Sequence, residues 1–175
     1  MRRSTVRVLV VLVILGVPGS AIGSVVPNAC IAGVGLWDSR ERVAREWGLP
    51  TSISQDGPDT LWHYPKASVL LYRWYKPWQT PRKPIRWIVL VITTTDPHER
   101  FKGIGVGSWR SEVRAASDRG CGDKANYCTL ASDRTESHST DVSFKGNRVV
   151  ELSVSLSSDF DDGAIQYADK RCRAD

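Results

Sequence analysis

The chain has 175 residues, with 24 Lys+Arg against 19 Asp+Glu, a formal charge of +5. Its basic leader, MRRSTVR, carries Arg2, Arg3 and Arg7 and no acid, so the rest balances at 21 basic to 19 acidic residues, or +2. A general nucleic-acid binder keeps a much stronger basic excess, which excludes that class, and the length suffices for one domain with a real core.

The leader is followed by the apolar run VLVVLVILGV and the small residues Ala21-Ile22-Gly23. This is the layout of a secretory signal peptide over residues 1–23, and the run is too short to span a bilayer. No later segment is apolar enough to do so. The expected location is therefore outside the cytoplasm, secreted or in the periplasm or cell envelope, with no stable membrane span after cleavage. Cys30 stands apart from the apolar run behind Pro27-Asn28-Ala29, so a lipidated cysteine is rejected.

Four cysteines in an exported chain imply two disulfides. Cys121 and Cys128 flank the short polar loop GDKANY, while Cys30 and Cys172 lie near the two ends of the mature chain. The expected pairs are Cys121–Cys128 and Cys30–Cys172, worth about 2.5 and about 5 kcal/mol in the chain-entropy account. Metal binding by the same loop lacks a second ligand pair.

Gly33 to Val43 (GVGLWDSRERV) aligns with Gly103 to Val113 (GIGVGSWRSEV) at a constant offset of 70. Each copy reads G-x-G, a helix N-cap (Asp38, Ser108) and a helix with a core valine. Asp38 with Glu41 fits the reciprocal capping pattern, and Gly48 with Pro50 stops the first helix. After the second helix, TDVSFKGNRVVELSVSLS alternates around a Gly146-Asn147 turn. Val142, Phe144, Val150, Leu152, Val154 and Leu156 make a dry face. Asp141, Ser143, Lys145, Glu151, Ser153 and Ser155 make a wet one. The first copy aligns as SVLLYRW and IRWIVLVITTT, separated by an insertion. Leu70, Tyr72, Ile88, Leu90 and Ile92 are its expected core, which leaves Val69, Leu71, Arg73, Trp87, Val89 and Val91 on the face that is wet in the second copy.

The G-x-G, the capped helix, its exit Trp47-Gly48-Leu49-Pro50 and the antiparallel strands together resemble the SmpA/OmlA outer-membrane lipoprotein family. The tandem form is similar to the β-lactamase inhibitor protein (BLIP) fold, over roughly residues 31–158. The resemblance implies helices packed on one face of an antiparallel sheet whose other, concave face grips a protein through aromatic and polar side chains. The lipoprotein relatives carry a lipidated cysteine that this chain lacks. The expected fold class is thus α+β: two tandem helix plus antiparallel-sheet modules, BLIP-like and disulfide-stapled. Residues 24–100 form the first repeat, with a hairpin insertion at 74–84, and 101–175 form the second repeat and a tail.

The insertion lies in RWYKPWQTPRKPIRW, Arg73 to Trp87, with three tryptophans, five Lys/Arg and three prolines. From Leu61 to Thr95 there is no acid, and Lys66, Arg73, Lys76, Arg82, Lys83 and Arg86 give +6. Prolines stiffen such a segment, and tryptophan and arginine are enriched at binding hot spots. The candidate binding residues are Leu71, Arg73, Trp74, Tyr75, Trp78, Arg82, Lys83, Trp87 and Val89. A self-covered apolar face, sealed by the tail after Asp159 or by the insertion with Trp74 and Trp78 folded back over it, is the competing reading.

His63 falls in a strand-like stretch, and His98 and His138 in polar loops. No HExxH motif, nucleophile elbow or phosphate-binding loop is present. Asp159-Phe160-Asp161-Asp162-Gly163 lacks the spacing of a calcium loop and reads as a solvated turn. No enzyme, cofactor or metal is expected. The partner is a protein, a secreted enzyme to be inhibited being one version. The alternatives are an anionic cell-wall polymer or lipid headgroup, or an accessory role in outer-membrane assembly. The oligomeric state is left open.

Overall fold

The computed structural model describes residues 30–75, 84–118, 121–122, 125–132 and 138–156. The leader, Trp78, Arg82, Lys83, Asp159–Gly163 and Cys172 lie outside them. The described part is mostly β-sheet with two short helices, and among these residues no helix is long and apolar enough to cross a membrane.

The same local structure occurs twice, 70 residues apart. β1 (Cys30–Ile31) and β2 (Val34–Gly35) form a small hairpin ahead of α1 (Arg40–Trp47); β7 (Arg100–Phe101) and β8 (Ile104–Gly105) do so ahead of α2 (Arg110–Ala116). The hairpin turns match in backbone, with φ of 48° and 80° at Ala32 and Gly33 against 50° and 79° at Lys102 and Gly103. The second glycine of the second G-x-G is structural. A Cβ on Gly105 would lie 2.6 Å from the Glu99 carbonyl oxygen, closer than real side chains approach.

The caps fall one residue later than expected. Asp38 and Ser108 instead close the turns, accepting from the Gly35 N–H (2.8 Å) and the Gly105 N–H (3.2 Å). Ser39 is the N-cap of α1 and accepts from the Arg42 N–H, while Trp109 caps α2 and its N–H donates to Glu112. The first helix stops at Gly48, φ 79°, as the Gly-x-Pro signal requires.

After α1 come β3 (Ser52–Asp56), β4 (Asp59–His63), β5 (Ala67–Tyr75) and β6 (Pro84–Thr94); after α2 come β9 (Tyr127–Ser132), β10 (His138–Lys145) and β11 (Arg148–Leu156). All seven join one antiparallel sheet in the order β3-β4-β5-β6-β11-β10-β9. Equivalent hydrogen bonds fix both helices to it. Trp37 N–H donates to Val89 O and Val89 N–H to Asp38 O, as Gly107 does to Val149 and Val149 to Ser108. Positions 89 and 149 differ by 60. The seam pairs Thr93 with Ser153 and Ile92 with Val154, so positions related by 60 meet at Thr93–Ser153, a local two-fold axis through the sheet.

One face of the sheet carries the core. Val69, Leu71, Val89, Ile92, Leu152, Val154 and Val142 are fully or almost fully buried, in one cluster with Val43 of α1 and Val113 of α2. This corrects the expected face of the first copy. Leu71 and Val89 are core, not docking residues, whereas Leu70, Tyr72 and Leu90, expected inside, are only half-buried.

On β6 a β-bulge explains the shift. Pairing slips between Leu70 and Leu71 on β5, so Leu70 faces Val91 and Leu71 faces Val89, skipping Leu90. The slip recurs on β10, where Ser143 faces Glu151 and Phe144 faces Val149. Val149 is buried there and Val150 is 38% exposed, the reverse of a strict alternation. Cys121 and Cys128 are bonded as expected. Cys30, buried in β1, is also in a disulfide, and its expected partner Cys172 lies outside the described residues.

Candidate functional site

The second face of the sheet carries no described layer. Register places two side-chain rows across all seven strands. The first runs Ser54, Leu61, Leu70, Val91, Ser155, Ser139, Ser132; the second runs Ser52, His63, Ser68, Thr93, Ser153, Asp141, Thr129. Every member from β4 to β9 is half-buried, as an open but closely packed sheet surface should be. Neither row contains Lys or Arg.

The two halves differ chemically. Offsets of 73 between β5 and β10 and of 60 between β6 and β11 equate Leu70 with Ser143, Val91 with Glu151 and Ser68 with Asp141. On the β9–β11 half, Asp141 accepts from the hydroxyls of Thr129 and Ser139, Ser139 meets Ser155 at 2.9 Å, and Ser143 donates to Glu151. These side chains are held in fixed positions by one another. On the other half Leu61, Leu70 and Val91 lie across three adjacent strands as an aliphatic strip.

At the seam, a hollow of about 230 Å³ opens between His63, Lys66, Ser68, Thr93, Thr95 and Glu151. His63 Nε2 is 2.9 Å from Ser54 Oγ, and Lys66 pairs with Asp96 at 3.1 Å. The Asp96 carboxyl is held below the usual carboxylate range, chiefly by the N–H of His98, with the Lys66 ammonium adding to it. The lining offers hydroxyls, an imidazole, an ammonium and a carboxylate. Among the described residues no group of His, Cys, Asp and Glu could hold a metal ion.

Of the sequence-derived candidates, Arg73 and Trp87 face each other across β5 and β6, the guanidinium 4.7 Å from the ring centroid. Trp87 is half-buried and Arg73 exposed. Trp74 and Tyr75 belong to β5, and Pro84 starts β6, so the strands run further into the insertion than expected. Trp78, Arg82 and Lys83 lie outside the described residues. His138 was expected in a loop but opens β10 and is 8% exposed. Sequence reasoning placed Val91 on this face but missed Leu61 and Leu70 as surface residues.

No family model matches the chain, and no curated protein does. Among solved structures it is similar to an extracellular protein containing an SCP domain from Bacillus anthracis, at 9% identity and a TM-score of 0.39. The match covers 70% of this chain and 44% of that one, so the chain spans less than half of that protein's length.

Proposed function

We propose that the chain is an exported protein-interaction module that grips a partner protein with the open face of its sheet, flanked by the basic, aromatic segment between β5 and β6. The observation that carries this reading is the seven-stranded sheet that, among the described residues, is layered on one face only, with an aliphatic strip on β4–β6 beside a hydroxyl-and-carboxylate network on β9–β11. Apolar anchors within a polar surround are the usual anatomy of a protein-binding surface. The duplicated hairpin–helix units and the local two-fold axis support the finer reading, a tandem of two SmpA/OmlA-like modules in a BLIP-like arrangement. Blocking a secreted enzyme is one concrete form of the activity and requires no catalytic group.

The bait for the test is the purified protein, exposed to native culture fluid or envelope extract. Leu70→Ser with Val91→Glu copies onto β5 and β6 the residues that the sheet already accepts at 143 and 151. The double variant is expected to fold as the parent does and to lose the captured partner. Undiminished capture would remove the open face from the proposal. An anionic envelope polymer is the second reading, favoured by the +6 stretch from Leu61 to Thr95. Charge-led binding of that kind collapses between low and physiological ionic strength, whereas anchor-led protein binding weakens modestly.

A further inference from the structure

The two edges of the sheet are treated differently. At the β9 edge the chain following α2 closes over the strand: Ser117 Oγ donates to Thr129 O at 2.7 Å and Asp118 N–H approaches Leu130 O at 3.4 Å. The Cys121–Cys128 bond ties the same stretch to β9. β3, at the other edge, has no counterpart across the local two-fold axis, and among the described residues no element covers it. Residues 51–55 are all exposed, Ile53 is 56% exposed, and nearby Leu49 is 84% exposed.

Natural sheets guard such an edge with lysine, proline, a bulge or a cover. Ser52-Ile53-Ser54-Gln55 has no charge and no proline, and its pairing with β4 is unbroken. The two-residue Gly57-Pro58 turn closes on the Asp56–Asp59 pair, which sets the hydrogen-bond phase. Ser52, Ser54 and Asp56 therefore bond inward to β4, and the N–H and C=O groups of Ile53 and Gln55 point out of the sheet.

We infer that β3 pairs antiparallel with β3 of a second copy about a two-fold axis at Ser54. In that register Ile53 of each chain faces Gln55 of the other, so every outward group meets an outward group. Ser52 lies across from Asp56 and Ser54 from Ser54, so no like charges oppose each other. The occupant is a second copy because the contact is self-complementary and, among the described residues, each chain has one bare edge. Such an isologous contact closes at two chains, where an edge open to all comers would propagate.

Sedimentation of the purified protein across the micromolar range tests this, and a concentration-dependent dimer is expected. Gln55→Pro removes a donor the monomer does not use, and Ile53→Lys puts a charge at the joint. Each is expected to weaken the dimer about tenfold or more, with the melting temperature of the monomer kept. Ser54→Cys places two cysteines at a close non-hydrogen-bonded pair and is expected to give a reducible covalent dimer. A monomer at every concentration overturns the inference, as does a dimer that both Gln55→Pro and Ile53→Lys leave intact. A non-covalent dimer that Ser54→Cys fails to lock overturns the register.

Discussion

Glu99 is an acid placed where the fold has little use for its charge. It is 7% exposed, and its Oε2 has no hydrogen-bond partner among the described residues. Burial, with Asp96 nearby adding repulsion, raises its pKa above the ordinary carboxylate value. A raised acid stabilises the fold fully only below the unfolded pKa of about 4.5, and that contribution is lost as pH rises through the folded value. Glu99→Gln is therefore expected to raise the melting temperature by about 2–4 °C at pH 7, equivalent to about 1 kcal/mol, and to give no gain at pH 4. Thermal melts at the two pH values check it, and equal effects at both would remove the charge from the explanation.

The elements show where the sequence was legible. The hairpin–helix units could be found because their signals are chemical: glycines at positive φ, cap-type residues, and a Gly-x-Pro stop. Even so, the caps slipped by one, since Asp38 and Ser39 are both good cap residues and only the turn geometry selects between them. The β10–β11 hairpin was readable because polar and apolar residues alternate, except at the bulge, where Val149 rather than Val150 is buried. In β5 and β6 the runs Val69-Leu70-Leu71 and Ile88-Val89-Leu90-Val91-Ile92 are apolar at every step. Period-two reading then has no phase: burial on β5 alternates in the opposite phase to the expected one, and a bulge on β6 brings Val89 into the core. Leu71→Ala is expected to cost about 2–5 kcal/mol and Leu70→Ala less than about 1 kcal/mol, measured by denaturant unfolding. Similar costs at the two positions would mean that both faces of β5 are sealed.

For the whole molecule, the proposed binding divides between the open face and the basic segment. Replacing residues 76–83 by Gly-Asn is expected to leave thermal melting unchanged while reducing capture of the partner. A fall in melting temperature would show that this stretch supports the fold instead. Residues 76–83 carry three Lys/Arg and no acid, so a salt titration of the parent and the shortened variant separates steering from anchoring.

The local two-fold axis at Thr93–Ser153 has a further effect on whatever docks there. A surface with true rotational symmetry can be entered in two equivalent poses, half a turn apart, and gives its visitor no sense of direction. Here the half-turn exchanges Leu70 with Ser143 and Val91 with Glu151, trading grease for a carboxylate. The backbone offers two poses, and the side chains reject one of them, so a bound guest has a single heading.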